Sequence, residues 1–540
     1  MPDDAQKLAR LGELLATNEP PRENDLPIVQ HIVNETNVRL ASLDKEISGL
    51  KDHLRKLEKK RQTLSDYKAQ HMGILSPLRR MPPEILGEIF SWPQQSTFAV
   101  FRPKENCPWI LTHVCSRWRA VALSLPSLWS LITIDFSIEQ RYSLELVRTQ
   151  MERARALKVH FAGSEDSDSR HQIAIFTLLA EHSARWTELS IQLASCLIPD
   201  MVALRGNLPT LRKAWVGWHT VESQAAELDS LDVFQTAGSL VDIGVLSEFR
   251  FVPTLLPAFH QITRYDLDAP WESHCEILKT LPNLQEVRIV RNFDNDHGWP
   301  ERGETIDLPH LRRLYVNDPI CLDYLRAPIL EVIALGTSTD DTVEACHSVE
   351  SLLTRSSCSP RCLRIQGPLD EGCTALLLQN HASFTDIAVT DDVHDDEDTQ
   401  REILSSSLSL FTTTTSLVLL PHITKIGLAC QNADASVYPL LLATLTSRWN
   451  VGECALKAVE LLFLDSAPDP DPESLARIEM LRQDGLQISL LSGDAASDRN
   501  DRWLFRTTWA RNRWARSIQF SFPCSRAISP FVFDSDSLSF

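Results

Sequence analysis

Apolar side chains recur at alternating steps of three and four residues between residues 28 and 70, which is the spacing of a coiled-coil helix. Two polar side chains, Thr36 and Arg61, interrupt this apolar seam. β-Branched side chains at one set of seam positions and leucine at the other favour two parallel strands. We expect residues 1–27 to form a flexible segment before the coiled coil. The predicted seam consists of Val33, Leu40, Leu43, Ile47, Leu50, Leu54, Leu57 and Leu64.

Charged side chains beside the seam support pairing between two copies of the chain. In a parallel pair, Arg39 of one helix would face Asp44 of the other, and Glu46 would face Lys51. Both pairs attract, so the pattern predicts a homodimer through the coiled coil. The alternative interpretation is a single amphipathic helix that packs on its own chain, because the two polar side chains weaken the seam.

Prolines end the long helix and begin a second unit, which we place at residues 74–132. Proline cannot continue a helix interior, so Ser76-Pro77 closes the first helix and Pro83 suits the first turn of a new one. A second helix follows a polar loop, and Leu125-Pro126 ends it. The apolar stripe of the first helix is Ile85, Leu86, Ile89 and Phe90, and that of the second is Ile110, Leu111, Val114, Cys115 and Trp118.

A recurring phrase, L-P-x-L followed by alternating apolar residues, organises the region from residue 133 to residue 500. Its copies begin at Leu208, Leu281, Leu308 and Ala327, and each predicts a turn into a short strand. A strand-plus-helix unit cannot bury its own apolar face, so such units stack side by side. The expected fold class is therefore mixed α/β: a coiled-coil helix, a small all-helical domain, and an irregular leucine-rich-repeat-like solenoid with parallel strands. We expect its concave, strand-lined surface to bind a partner.

Three polar or mixed segments interrupt or follow these repeats. The acidic run Asp391 to Asp398 and the segment Pro468 to Pro472 are predicted to be surface loops. The tail, residues 501–540, mixes three tryptophans with several arginines, and we interpret it as a terminal cap or final strand. A partner-binding patch is the alternative for this tail.

Composition narrows the class of protein. The 540 residues carry a net charge of -19, which argues against a general nucleic-acid-binding protein, because these usually carry a basic excess. The N-terminus has no uninterrupted apolar core, so we predict neither a signal peptide nor a membrane anchor. Twelve cysteines in so long a chain indicate reduced thiols, and hence cytoplasm or nucleus.

Motifs for catalysis and cofactor binding are absent from the sequence. There is no G-x-G-x-x-G, no phosphate-binding loop, no H-E-x-x-H and no G-x-S-x-G. Cys358 and Cys362 are spaced like metal ligands, but no second pair follows them. We therefore expect no catalytic residues, no cofactor and no metal site, and a chain that is not an enzyme.

The phrase MPPEILGEIF, followed by HVCSRWR and then Leu128-Trp129, resembles the F-box family, and most closely the F-box proteins of mushroom-forming fungi. Those proteins share the order of coiled coil, F-box and irregular repeats. Two features depart from the family pattern. Met81 replaces the commoner leucine, which conserves volume, and the loop from Trp92 to Pro108 is long.

The resemblance implies a substrate-recognition adaptor of a cullin ubiquitin ligase. Its F-box would bind the Skp adaptor, which links it to the cullin scaffold, and its repeats would hold an unknown protein target. The alternatives are a non-ligase F-box scaffold and a helical hairpin buried in its own domain. The positions that the resemblance assigns to the Skp adaptor are Leu78, Pro82, Pro83, Ile85, Leu86, Ile89, Phe90, Val114, Cys115 and Trp118.

Overall fold

The computed structural model describes residues 9, 11–17, 19–91, 107–137, 142–218, 232–246, 259–291, 299, 305–338, 342–391, 397–412, 421–449 and 455–506. The chain divides into two compact units, Met1–Leu86 and Gly87–Phe540. It is a mixed α/β protein with a long N-terminal helix and a large sheet of parallel strands, which confirms this part of the predicted fold class.

A single helix, α1 (Leu26–Ile74), dominates the first unit. Pro27 lies in its first turn, where a missing amide hydrogen has no consequence, and the amide of Leu75 closes its end on the carbonyl of Met72, 3.1 Å away. The prolines then separate two further helices, α2 (Pro77–Arg80) and α3 (Pro83–Ser91). Helix α3 begins in the first unit and ends in the second.

Within the described residues of the second unit, fourteen parallel strands form one sheet. Each strand lies beside the one before it in the chain, apart from β8 and β10, which pair with each other separately. The chain therefore advances along the sheet in one direction. The strands are β1 (Leu131–Asp135), β2 (Leu157–Ala162), β3 (Trp186–Leu193), β4 (Lys213–Trp218), β5 (Asp242–Leu246), β6 (Arg264–Asp268), β7 (Glu286–Val290), β8 (Ile306–Asp307), β9 (Arg313–Val316), β10 (Leu325–Arg326), β11 (Val332–Gly336), β12 (Cys362–Gln366), β13 (Asp386–Thr390), β14 (Lys425–Cys430), β15 (Ala458–Phe463) and β16 (Gln487–Ser492).

Helices precede the sheet, connect many of its strands and follow it. Turns of 3-10 helix supplement them at Pro126–Trp129, Ser183–Arg185, Ser195–Leu197, Phe259–Gln261 and Pro319–Tyr324. The helices are α4 (Cys107–Val114), α5 (Ser116–Ser124), α6 (Leu144–Arg153), α7 (Ser169–Ala180), α8 (Ile198–Ala203), α9 (Trp271–Thr280), α10 (Thr342–Ser356), α11 (Glu371–Asn380), α12 (Glu397–Phe411), α13 (Val437–Trp449), α14 (Pro472–Gln483) and α15 (Gly493–Trp503).

Helices between the strands cover one face of the sheet, which we call the helix face. Phe176 of α7 packs on Phe161 of β2, with ring centroids 5.2 Å apart. Tyr438 of α13 lies 5.8 Å from Phe463 of β15 in the same manner. Successive side chains of a strand alternate between faces, so the buried aliphatic residues on one side of each strand fill the core between helices and sheet.

The L-P-x-L phrases lead into β4, β7, β9 and β11. The first and fourth residues of all four copies are buried. In three copies the amide of the fourth residue donates to the carbonyl of the first, for example from Leu311 to Leu308 at 3.2 Å. The phrase is therefore a tight turn whose two apolar residues enter the core before the strand begins.

The structure corrects several boundaries. The single helix predicted from Ile110 to Trp118 is two helices, because the backbone at Cys115 is extended. The predicted limit at residue 132 lies inside β1.

Two predicted surface loops are also shorter than expected. Asp391 is buried and Asp398 belongs to α12, while residues 392–396 lie outside the described residues. Pro472 already begins α14, so only the residues before it form a loop. Of the predicted tail, residues 501–503 form the end of α15 and residues 504–506 follow that helix. Residues 507–540 lie outside the described part of the chain.

Candidate functional site

The predicted coiled-coil seam is exposed along α1. Its eight side chains have relative exposures between 46% and 68%, although all are aliphatic. Arg39 pairs with Glu35 of the same helix at 2.7 Å, and both side chains are exposed. A long helix whose apolar stripe is exposed is typical of a coiled-coil helix that pairs with a second helix.

Helix α3 buries one side and exposes another. Leu86 and Phe90 are buried, whereas Ile85 and Ile89 are 50% and 37% exposed. The two isoleucines are four residues apart, so they lie one above the other on the helix surface. Leu78, Pro82 and Pro83, which the family resemblance also assigns to the adaptor, are exposed as well.

Helix α4 carries a second exposed aliphatic pair. Ile110 and Val114 are 42% and 54% exposed, and they too are four residues apart. Trp109 and Leu111 of the same helix are buried. Exposed pairs of β-branched residues on short helices, beside well-buried neighbours, mark a surface suited to a protein partner.

Cys115 separates α4 from α5 and caps the latter. Its Sγ accepts a hydrogen bond from the backbone amide of Trp118 at 3.4 Å, which satisfies one of the free amides in the first turn of α5. Arg119 joins the two helices from the other side, because its Nε donates to the carbonyl of Thr112 at 2.7 Å. The family resemblance assigned Cys115 to adaptor binding; its observed contact is a capping one, and its side chain is exposed.

The second half of α3 packs on α5. The rings of Phe90 and Trp118 lie 4.9 Å apart. A Cβ atom at Gly87 would come within 3.0 Å of a methyl group of Leu125, so glycine permits this close approach. Of the ten residues that the resemblance assigned, the structure thus brings the buried Phe90 into contact with the partly exposed Trp118.

Trp129 joins these helices to the sheet. Its side chain is fully buried, and its Nε1 donates to the carbonyl of Ala122 in α5 at 2.9 Å. Its ring packs edge-on against Trp109 with centroids 5.2 Å apart, and the guanidinium of Arg153 from α6 lies 4.4 Å above it. Gln150 of α6 accepts from Trp109 Nε1 and donates to the carbonyl of Leu131 in β1. One aromatic cluster therefore holds α4, α5, α6 and the first strand together.

The sheet face opposite the helix face carries a row of alternating charges. The backbone register places these side chains directly beside one another on consecutive strands, and each differs in sign from its neighbours. We call this row the charge ladder and its face the ladder face. The charge ladder consists of Lys158, Glu188, Lys213, Asp242, Arg264, Glu286 and Arg313.

Arg264 lies in the most buried part of the charge ladder. It contacts Asp242 at 3.2 Å on one side and Glu286 on the other, and Glu286 contacts Arg313 at 3.2 Å. Burial alone would lower the pKa of the Arg264 guanidinium, but the two carboxylates raise it. Burial also raises the pKa of Asp242, because the two cations beside it offset only part of the desolvation.

Glu188 belongs to the charge ladder but also contacts the next row. Its carboxylate lies 3.0 Å from Nε2 of His160 and 3.8 Å from Nζ of Lys158. Burial opposes ionisation of Glu188, but the hydrogen bond with His160 and the nearby lysines leave its pKa below the ordinary value. We therefore expect Glu188 to stay charged at neutral pH.

A second row of side chains on the ladder face runs beside the charge ladder, and its residue types differ between two parts of the sheet. On β6 to β9 it is polar: Asp266 pairs with Arg288 at 3.1 Å, and the Arg288 guanidinium lies 4.3 Å from the ring centre of Tyr315. From β11 to β14 the row contains Ala334, Ala388 and Gly427, which leave a shallow trough because their side chains are small or absent. Arg364 of β12 stands within this trough and forms two 2.8 Å contacts with Asp386.

Residues 493–506, which we call the C-terminal segment, lie on the ladder face. The indole of Trp503 fills the space above Gly427, where a Cβ atom would come within 2.7 Å of it. Trp503, Leu504 and Phe505 form one buried cluster with side chains of the trough and of β7, β9 and β15. We expected the strand-lined surface to bind a partner; this part of that surface is already occupied by the chain itself.

The position of the C-terminal segment also shows that the sheet curves. Trp503 lies on β14, yet the carbonyl of Phe505 accepts a hydrogen bond at 2.7 Å from Nη2 of Arg264 on β6. On a flat sheet these strands, six positions apart in the order, would be separated by about 29 Å. Two residues of chain span only about 7 Å, so the ladder face must be concave here.

Other candidate groups have structural contacts. His274 is fully buried, with Nε2 3.0 Å from the carbonyl of Val290 and Nδ1 beside the hydroxyl of Tyr265, and burial lowers its pKa to about 4. Cys358 and Cys362 are free thiols.

Among the described residues, no three histidine, cysteine or acidic side chains are grouped in a way that could hold a metal ion. In the same residues, no helix is both long and apolar enough to cross a membrane.

Sequence reasoning did not find the charge ladder or the C-terminal segment's position. Each ladder residue is one of the first three residues of its strand. An alignment of the predicted strand starts would therefore have revealed the alternating signs. The contact of residue 505 with residue 264 leaves no local signal at all.

Comparison with known proteins adds no relative on which to base an assignment. No model of a known protein family matches this chain, and no curated protein matches its sequence.

Proposed function

We propose that this chain is a non-catalytic adaptor of a cullin ubiquitin ligase, in which helices α3 to α5 bind the Skp adaptor and the curved sheet binds a target protein. The proposal combines the F-box-like sequence MPPEILGEIF and HVCSRWR with the geometry of the helices that these residues form. Catalysis would then belong to other subunits, and this chain would act in the cytoplasm or nucleus by bringing the target close to them.

The observations that carry the proposal are the exposed aliphatic pair of α3 and, separately, that of α4. Each of these isoleucine and valine side chains is already about half buried, so covering the rest of it with a partner would stabilise a complex by about 1 kcal/mol. In the proposal, Ile85 and Ile89 of α3 and Ile110 and Val114 of α4 contact the adaptor. Leu86 and Phe90 are buried, so their part is to hold α3 in place rather than to touch the adaptor.

The repeats contribute the second half of the proposal. Fourteen parallel strands in chain order, preceded in several cases by L-P-x-L turns, support a leucine-rich-repeat type of solenoid. Trp129 supports the coupling of the two halves, because its contacts fix the helices to the first strand of the sheet. A target on the concave ladder face would then be held at a defined distance from the bound ligase.

Co-purification of the full-length chain with a Skp adaptor and its cullin tests the proposal. We expect recovery of both partners, and at least a tenfold loss after Ile85→Asp with Ile89→Asp, since each substitution places a charge on the exposed surface of α3. Leu376→Asp is the matched control, because Leu376 is 60% exposed on α11 and lies outside the proposed surface. Undiminished recovery of the adaptor from the α3 variant would refute the proposal. Recovery of the adaptor without cullin would replace it by a non-ligase scaffold.

A further inference from the structure

The charge ladder exposes its cations more than its carboxylates. Its three carboxylate side chains are between 10% and 18% exposed. Arg264 is 19% exposed, but the remaining cations of the ladder are between 44% and 56% exposed. These exposed cations are Lys158, Lys213 and Arg313. The surface that the ladder presents to a partner is therefore basic, although the whole chain carries a net charge of -19.

The two lysines of the ladder are only loosely paired. Glu188 makes its closest contact with His160 at 3.0 Å and leaves Lys158 at 3.8 Å. Asp242 likewise lies closer to an arginine than to Lys213, which is 3.9 Å away. Both lysine distances are longer than a hydrogen bond. The lysines are therefore held by charge alone, and their ammonium groups can turn toward a ligand.

Arg212 adds another cation at the same edge of the sheet. It lies directly before β4, beside Lys213, and it is exposed. By contrast, Arg185 directly before β3 donates to the carbonyl of Met151 at 2.9 Å and so has a structural contact. The side chain of Arg212 makes no ion pair or hydrogen bond within the described residues, so its charge is available to a partner. We call this set of exposed cations at the strand starts the basic rim: Lys158, Arg212, Lys213 and Arg313.

The spacing of the basic rim matches an extended peptide. Because the signs of the ladder alternate, a cation stands on every second strand from β2 to β9. Neighbouring strands are about 4.8 Å apart, so successive cations are about 10 Å apart. An extended chain advances about 3.3 Å per residue, so every third side chain also recurs after about 10 Å. Acidic side chains at every third position would therefore meet the cations in register.

We propose that the basic rim binds an extended, carboxylate-rich segment of a target protein that has an acidic side chain at every third position. The ladder's own carboxylates lie between the cations, so separate carboxylates fit this surface better than the continuous charge of a nucleic acid, which the net charge of the chain also repels. The inference rests on the proposed function and deepens it, because it specifies the class of target that the sheet recognises.

Fluorescence anisotropy of a labelled peptide, Glu-Ser-Ser-Glu-Ser-Ser-Glu-Ser-Ser-Glu, with the full-length protein tests the proposal. At an ionic strength of about 0.01 M, where charges act over about 30 Å, we expect saturable binding that weakens as salt is added. A peptide of the same composition with its glutamates consecutive should bind at least threefold more weakly, because fewer of its carboxylates can meet a cation at once. Equal affinities of the two peptides for the wild type, or no binding of the first peptide, would overturn the inference.

Substitutions on the basic rim test its position. Arg212→Gln with Lys213→Gln removes two exposed charges from the start of β4, so we expect at least fivefold weaker binding of the spaced peptide. Arg170→Gln with Arg477→Gln is the matched control, because both arginines are exposed on helices, α7 and α14, and their loss changes the net charge equally. An equal loss of affinity in the two double variants would mean that only net charge matters, and the proposed site would be wrong.

Two further outcomes separate this inference from its neighbours. A labelled oligothymidylate of the same length should bind more weakly than the spaced peptide; tighter binding that the rim variant abolishes would make the rim a nucleic-acid surface and refute the inference. Peptide binding by a chain that does not capture the Skp adaptor would leave the basic rim standing and remove the ligase proposal. Capture of the adaptor without peptide binding would remove only the inference.

Discussion

Arg264 and Phe505 are 241 residues apart in the chain, yet Nη2 of Arg264 donates a hydrogen bond to the backbone carbonyl of Phe505 over 2.7 Å. The same guanidinium also contacts Asp242 and Glu286. One side chain therefore joins three consecutive strands of the sheet to the last described segment of the chain.

Replacing this arginine should strongly destabilise the protein. Arg264→Leu would leave two largely buried carboxylates without their shared cation, and breaking a buried pair in this way costs about 3–5 kcal/mol. Urea unfolding followed by circular dichroism measures the change. Arg312→Leu is the matched control: Arg312 contacts Glu331 at 2.7 Å, but both side chains are exposed, so its loss should cost less than about 1 kcal/mol. Equal effects of the two substitutions would show that burial of Arg264 does not matter.

Trp129 should be essential for the attachment of the helices to the sheet. Trp129→Ala removes a fully buried ring from between α5 and α6, and a truncation of this kind lowers the free energy of unfolding by about 3–5 kcal/mol. Trp129→Phe keeps an aromatic ring but loses the hydrogen bond to Ala122, so it should cost clearly less. Thermal unfolding of both variants shows which of the two is less stable. A Trp129→Ala variant as stable as the wild type would contradict the role described for the cluster.

The exposed seam of α1 predicts a dimer in solution. We expect sedimentation equilibrium to give twice the mass of one chain, and Leu43→Glu with Leu50→Glu to give the mass of one chain, because like charges would meet across the seam. Ser42→Glu with Ser48→Glu is the control, since those positions lie away from the seam. A monomeric wild type, or a dimer that survives charges at Leu43 and Leu50, would reject the coiled coil.

His274 should make stability depend on pH. Its pKa in the folded protein is about 4, below the ordinary value of about 6.5, because burial excludes the charged form and Arg291 adds a positive charge nearby. The unfolded chain therefore takes up the proton first as the pH falls. The stability that neutral His274 contributes is complete above about pH 6.5 and decreases between pH 6.5 and 4, by about 3 kcal/mol in total.

The variant His274→Gln tests this dependence, because glutamine has no proton to gain in that range. Urea midpoints measured from pH 7 to pH 4.5 should fall more steeply for the wild type than for the variant. Carboxylates with lowered pKa, such as Asp386 and Glu460, lose their ion pairs only at still lower pH and do so in both proteins. Parallel slopes for the two proteins would exclude His274 as the cause.

The parts of the fold that the sequence predicted are those with a local cause. The phrase that begins at Leu308 predicted a turn into a strand, because the proline and the two leucines occur within four positions. The prolines at positions 77 and 83 likewise fixed the end of α1 and the start of α3. The break at Cys115 was missed because neither proline nor glycine marks it; the thiol that caps α5 also completes the apolar stripe of an uninterrupted helix.

The candidate sites depend on relations that a single sequence does not show. Exposure distinguishes Ile89 from Phe90, although both are apolar neighbours on one helix, and only packing decides which of them is buried. The occupation of the ladder face by Trp503 needed the curvature of the sheet as well as its strand order. A single sequence therefore does not show which surface of the sheet is accessible.

The charge ladder limits how the repeat region can change in length. If one strand unit between Lys158 and Arg313 were deleted, two side chains of the same sign would become neighbours, and like charges on adjacent strands destabilise a sheet. Deleting two consecutive units would restore the alternation. In this stretch the protein can therefore lose or gain repeats in pairs more readily than singly, so evolutionary change in repeat number should favour even steps.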